Sequence, residues 1–203
     1  MALRAVFFDV GETLVDEERW WRVLAAREGL RPHVVWAALG VTIERGEEHD
    51  RLWSHLGVAR PSDWEERRYE VADLYPDAIE CLEAVRVLGL RVGIVGNQTA
   101  ALEEWARGAA LPADVISCSA RLGVRKPDPA FFTHVVELAG CSAHEAAYVG
   151  DRVDNDVLPA ARAGLVAVHV RRGPWGSLQR TPEEAAIGVD DLASLPQALA
   201  SLT

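Results

Sequence analysis

Six side chains in this 203-residue chain could handle a charged ligand together: Asp9, Asn97, Lys126, Asp151, Asp154 and Asp156. Asp9 follows the apolar run Ala5-Val6-Phe7-Phe8, Asn97 follows Ile94-Val95-Gly96, and the last three follow Tyr148-Val149-Gly150. An apolar run bounded by a charge reads as an interior strand. In an open parallel sheet the carboxyl ends of the strands share one edge, where ligands bind. Carboxylates, an amide and an ammonium are therefore expected to converge. Like charges disfavour one another's ionised form, and a divalent cation with oxygen ligands relieves that cost. Mg²⁺ suits a site with few carboxylates whose shell is completed by water and phosphate. An isolated Asp after a strand more often caps the next turn, so it is the convergence, not Asp9 alone, that points to a ligand site. Gly11 lets the chain turn sharply beyond Asp9.

These residues need elements to position them, and the pattern along the chain supplies an alternation. A helix over 77–88 closes at Gly89 before a strand over 90–95. A helix over 98–107 precedes a strand over 114–118. Asp128-Pro129 provides an N-cap and an N1 proline for a helix to Gly140. A strand at 146–149, a helix over 155–163, a strand at 165–170 and a helix near 196–202 follow. Strands separated by helices of this length imply right-handed βαβ units. The predicted fold class is α/β, a Rossmann-like core with a parallel sheet covered by helices on both faces. The loop 171–176, rich in Gly and Pro, is predicted to be irregular.

Between Leu14 and Pro76 the character is helical throughout. Helices are predicted over 17–28, from Pro32 to about Gly40, and from Thr42 to about Leu56, with a fourth opened by the capping box Ser62-Asp63-Trp64-Glu65. Five tryptophans lie here, Trp20, Trp21, Trp36, Trp53 and Trp64, chiefly as core, with one or two available to line a pocket. The chain is thus predicted to divide into a core of residues 1–15 and 75–203 and a small all-helical insert of residues 16–74.

The formal charge of −10 and pI near 5.1 disfavour nucleic acid and anionic membrane as partners. No run approaches the roughly 18 apolar residues of a membrane span, and a cytoplasmic location is expected. Cys81, Cys118 and Cys141 are too scattered for a disulfide or zinc framework. Of the 21 basic residues only Lys126 is lysine. Arg and Lys are not interchangeable where a compact charge is needed, which singles Lys126 out.

Asp9-Val10-Gly11-Glu12-Thr13, Asn97, Lys126-Pro127 and Gly150-Asp151 with Asn155-Asp156 resemble, in order, the four motifs of the haloacid dehalogenase-like (HAD) hydrolases, with a helical cap inserted after the first. The resemblance spans the whole chain. It implies a phosphatase acting on a small phosphorylated molecule. Asp9 would be the nucleophile, forming an aspartyl-phosphate, and Asp9, the Gly11 carbonyl and Asp151 would hold Mg²⁺. Lys126 would neutralise the nucleophile and the phosphoryl oxygens. Gly96 and Asn97 would bind phosphate, with Thr13 and Asp156 in support. Such a site must place Asp9 within roughly a dozen ångströms of the Lys126 nitrogen, inside a shared first or second shell. Monomer and homodimer are equally compatible with the sequence.

Two positions depart from the family pattern. Phosphatases of this type carry an acid/base Asp two residues beyond the nucleophile, where this chain has Gly11, and a Ser or Thr where it has Gly96. General acid-base catalysis is worth roughly 10²–10⁴-fold, so alkyl phosphates should turn over slowly unless another group substitutes, and Gly11→Asp is expected to accelerate them. Glu12 and the insert's His33, His49 and His55 are candidates for that substitute. A 2-haloacid dehalogenase would also use Asp9 and lacks the acid, but would leave the acidic cluster unexplained. A catalytically impaired, HAD-fold binding protein is the alternative from a different class.

Overall fold

The computed structural model describes residues 2–64 and 66–202. Six parallel strands form one sheet: β1 (Ala5–Phe8), β2 (Arg91–Gly96), β3 (Val115–Cys118), β4 (Ala146–Gly150), β5 (Val166–Val170) and β6 (Ile187–Val189). Their order across the sheet is β3-β2-β1-β4-β5-β6. The chain winds outward from β1 on both sides, so the strand order reverses there, and the crevice at such a switch point is where a ligand fits. In the register, Phe8 lies level with Ile94 and with Val149. Asp9 therefore leaves the sheet one residue beyond that level, Asp151 two and Asn97 three.

Alternating side chains of the strands face two cores. Val6, Phe8, Val92, Ile94, Val149 and Val168 pack with Leu82 and Val85 on one face. Ala5, Phe7, Val95, Tyr148 and Ala167 pack with Phe131, Phe132 and Val135 on the other. Two-sided burial explains why these strands read as continuous apolar runs. The first face is covered by α4 (Ala78–Val87), α5 (Ala100–Gly108) and α10 (Leu195–Ala200), the second by α7 (Pro129–Ala139) and α8 (Leu158–Arg162).

Three helices, α1 (Glu18–Arg27), α2 (Pro32–Glu44) and α3 (Leu52–Leu56), precede α4. They build a separate aromatic cluster that contains Trp20, Trp21, Trp53 and Trp64. The chain leaves and re-enters the core side by side: Asp16 N–H donates to Asp73 O (2.8 Å) and Tyr75 N–H to Leu14 O (2.9 Å).

Several boundaries differ from the sequence pattern. α2 runs through Gly40, and the chain breaks instead at Gly46, whose φ of +62° only glycine adopts readily. The helix predicted over 42–56 is consequently split, and a 3₁₀ turn at His49–Arg51 leads into α3. No helix opens at Ser62. The Asp63 carboxylate is held by Arg27 at 2.8 and 2.9 Å, and residues 62–64 form a turn. Glu65, the last member of that capping box, lies outside the described residues. The segment predicted as an irregular loop forms α9 (Gly173–Leu178) with Pro174 in its first turn, and its Trp175 joins the aromatic cluster. A short helix, α6 (Ser119–Leu122), and strand β6 have no counterpart in the sequence reading. The helix expected from Asn155 begins as a wide π-helical turn at Val153–Val157, a conformation frequent at functional sites.

Candidate active site

Lys126 is the centre of the site. Its Nζ lies 2.7 Å from Asp9 Oδ1 and 2.6 Å from Asp156 Oδ1, and the side chain is 1% exposed. Burial alone lowers an ammonium's pKa, but Asp156 and Asp9 outweigh it and raise Lys126 well above its ordinary value. The ammonium also sits 5.5 Å from the Tyr148 ring centroid. A charge this deeply buried persists only when paired, and here the two partners come from the ends of different elements.

Each partner is held by backbone. Asp9 continues β1, its N–H donating to Val149 O at 2.9 Å. The π-helical turn aims Asp156 inward, where Oδ1 accepts from Lys126 and Oδ2 accepts from the Arg152 N–H at 3.0 Å. Gly150 makes room, since a Cβ there would fall 2.5 Å from Asp156 Cβ. Burial, then the carboxylates of Asp156 and Asp9, push Asp151 well above the usual carboxylate range. Carboxylate oxygens of Asp9, Asp151 and Asp156 lie within 4.8 Å of one another. Three buried acids with one ammonium between them leave uncompensated negative charge, and that is what a divalent cation with oxygen ligands would neutralise. Asp154 does not join them. It is half-exposed, paired with Arg152 at 2.5 Å and bonded by Gln179 Nε2 at 3.1 Å.

Asn97 adjoins the cluster in an unexpected role. Its Oδ1 accepts from the Lys126 N–H at 2.7 Å and its Nδ2 donates to Lys126 O at 2.9 Å. The amide thus clamps the Lys126 backbone from both sides, and one Nδ2 hydrogen remains for another acceptor. Gly96 is packed against Asp9, because a Cβ there would collide with Asp9 Oδ1. Thr13 is fully buried, and its hydroxyl has no hydrogen-bond partner among the described residues; its N–H donates to Val10 O at 3.3 Å.

A cavity of about 880 Å³ opens over the cluster, lined on the core side by Asp9, Gly11, Lys126 and Asp151. Its far wall comes from the helical segment, including Trp21, His49 and Trp64. His33 is exposed and His55 is paired with Glu47 at 2.5 Å, so His49 alone of the three histidines reaches the cavity. Its ring lies among Trp21, Trp64 and Trp175 with centroid distances of 5.5, 5.0 and 4.5 Å. Burial in that aromatic setting holds its pKa well below the ordinary value, so the imidazole is neutral. Glu12 adopts a left-handed backbone, φ 53°, and its carboxylate turns to Tyr75 (2.6 Å) and the Glu17 N–H (3.3 Å). Burial and the neighbouring Glu17 raise its pKa to about 8.

Sequence reasoning missed two contributors. His169, fully buried on β5, donates from Nε2 to the Asp151 carbonyl at 3.1 Å while Nδ1 accepts from Thr181 Oγ1 at 2.8 Å, the tautomer that this network requires. A histidine interrupting the apolar run Val166–Val170 was its visible signal. Glu17 was read only as part of a helix start, yet its carboxylate is 7% exposed and lines the cavity.

The chain is 32% identical to a glyceraldehyde 3-phosphate phosphatase of Methanopyrus kandleri, over 87% of this chain and 88% of that one. A HAD phosphatase from Thermococcus onnurineus superposes with a TM-score of 0.67 at 24% identity, covering 97% of this chain and 98% of that one. An L-2-haloacid dehalogenase from Xanthobacter autotrophicus superposes at 0.72 with 19% identity, covering 99% and 100%. At those identities the two structures speak to the fold alone. The family model of the haloacid dehalogenase-like hydrolases matches residues 3–164, and with it the chain belongs to that family of enzymes.

Proposed function

We propose that this protein is a Mg²⁺-dependent phosphohydrolase of a small phosphate ester or anhydride, with Asp9 as nucleophile. The observation that carries this is the lone lysine, buried between Asp9 and Asp156 at 2.7 and 2.6 Å, beside a third buried carboxylate. Phosphoryl transfer asks mainly for positioning and charge stabilisation, and this cluster offers both. The phosphatase named among the relatives supports the same class of substrate.

Asp9 attacks phosphorus, the bond to the leaving oxygen breaks, and water then cleaves the aspartyl-phosphate. Lys126 offsets the charge on Asp9 and on the phosphoryl oxygens. Asn97 fixes the Lys126 backbone and offers its remaining hydrogen to phosphate, alongside the Gly96 backbone. Asp9, Asp151 and the Gly11 carbonyl would hold Mg²⁺, which supplies positive charge at the phosphoryl oxygens. Asp156, with both oxygens already engaged, supports Lys126 rather than the metal, and Thr13 supports the turn after Asp9. Residues 16–74 act as a cap domain, covering the cavity with Trp21, His49 and Trp64. The partner is then a small phosphorylated molecule, met in the cytoplasm.

The test is phosphate release from a panel of sugar, hydroxyacid and aryl phosphates, with and without EDTA. Release that EDTA and Asp9→Asn both abolish is expected. Release surviving either one would overturn the reading, and dehalogenation surviving EDTA would put a haloacid substrate in its place.

A further inference from the structure

Resting on that phosphohydrolase reading, we infer that Glu17 supplies the proton transfers for which residue 11, a glycine, has no side chain. A Cβ built on Gly11 would fall 2.6 Å from Glu17 Oε1 and 3.7 Å from Oε2. The Glu17 carboxylate therefore fills the space a residue-11 side chain would take, on the cavity wall that Asp9 and Gly11 also line.

The local chain explains how it gets there. The left-handed Glu12 and the bond from its N–H to Val15 O (2.7 Å) close a tight turn after Gly11. Glu12 Oε1 then accepts from the Glu17 N–H, pinning the start of α1 back over that turn. Oε1 accepts from the Tyr69 hydroxyl and pairs with Arg67 Nε at 2.8 Å. Among the described residues no hydrogen bond engages Oε2, on a side chain that lines the cavity. Glu12, the adjacent acid, is unsuited because Tyr75 and the Glu17 backbone occupy its carboxylate.

The chemistry balances. Carrying a proton taken up from solvent on Oε2, Glu17 gives it to the leaving oxygen as the P–O bond breaks and Asp9 takes the phosphoryl group, so an alcohol departs. The resulting carboxylate then accepts a proton from water as that water attacks phosphorus and releases Asp9. Glu17 ends protonated, and the sum is ester plus water giving alcohol plus phosphate. The same geometry reverses the expectation for Gly11→Asp. A second carboxylate cannot enter where Glu17 already sits, so that variant alone should be slower than wild type.

Leaving-group dependence tests this. Glu17→Gln keeps the shape and an oxygen for Tyr69 and Arg67. It should lower kcat on an alkyl phosphate such as glycerol phosphate by roughly 10²–10⁴-fold, with a loss on p-nitrophenyl phosphate at least tenfold smaller, because a phenolate leaves without a proton. The double variant Gly11→Asp with Glu17→Ala should regain at least tenfold over Glu17→Ala alone. Equal losses on both esters, or alkyl turnover within threefold of wild type, overturn the assignment while leaving the phosphatase reading intact. Wild-type protein inactive on both esters with Mg²⁺ overturns that reading and this one together.

Discussion

Replacing Lys126 with methionine tests whether the site is organised around one buried cation. Methionine nearly matches the length and volume of lysine, so the change removes charge with little change of packing. It leaves Asp156, fully buried, and Asp9, 8% exposed, without the ammonium that now lies 2.6 and 2.7 Å away. Breaking a buried pair by deleting one partner costs about 3–5 kcal/mol, and a domain of this size loses about 2–4 °C of Tm per kcal/mol, giving a fall of about 6–20 °C. The deficit should depend on pH. Burial chiefly, with Lys126 acting against it, places the Asp156 carboxyl at about 6, and removing the ammonium moves it higher still. A carboxyl raised above its unfolded value stabilises the fold fully below the unfolded pKa, and that contribution is lost as pH rises through the folded one. The variant's deficit should therefore grow from pH 5 to pH 8. Adding Asp156→Asn in the same molecule should recover at least about 1.5 kcal/mol, the coupling expected of charges in contact, without restoring phosphate release. Urea denaturation in EDTA at pH 5 and pH 8, followed by far-UV circular dichroism, measures the deficit, its growth with pH and the recovery, and a thermal scan gives the fall in Tm. A single variant within about 1 kcal/mol of wild type, or no recovery in the double variant, would refute the reasoning.

Other variants separate the remaining roles. Asp151→Asn should stabilise the protein in EDTA by removing a carboxylate crowded by Asp156 and Asp9, and it should abolish stabilisation by Mg²⁺, which for wild type is about 2.7 kcal/mol at a hundred times Kd; equal Mg²⁺ shifts in Tm would contradict this. Gly96→Ala places a methyl against Asp9 Oδ1, forcing the carboxylate off Lys126, and should cost about 10²-fold in kcat, with turnover assays showing no change if the contact is unimportant. Asp73 is held below its ordinary pKa chiefly by hydrogen bonds from Arg19 at 2.6 and 2.5 Å. A depressed carboxyl stabilises above the unfolded pKa and loses that as pH falls through the folded one. Asp73→Asn should thus cost about 1 kcal/mol at pH 7, modest because the Arg19 side chain is 41% exposed, and nothing near pH 2; a pH-independent deficit would point to packing instead.

The edge where these side chains meet was legible because it is set by backbone regularities. Parallel strands buried on both faces leave continuous apolar runs, their register follows from pairing, and Asp9, Asn97 and Asp151 are brought together by where those runs stop. Lys126 was legible through composition, as the one lysine among 21 basic residues. The helical segment was less readable, since a glycine ends a helix only if its φ turns positive. Gly46 does so and Gly40 does not. The resemblance implied a phosphate contact for Asn97, and what it could not show is that the loop carrying Lys126 folds back to meet both ends of its amide. Glu17 shows the same limit more sharply. Five residues separate it from Gly11, and what unites them is a single left-handed residue, Glu12, together with one backbone bond to Val15. A motif records which side chain is missing from a position, whereas the turn geometry determines which other side chain occupies the vacated space. An absent catalytic group in a sequence is therefore evidence of lost function only after the neighbours of the gap have been located.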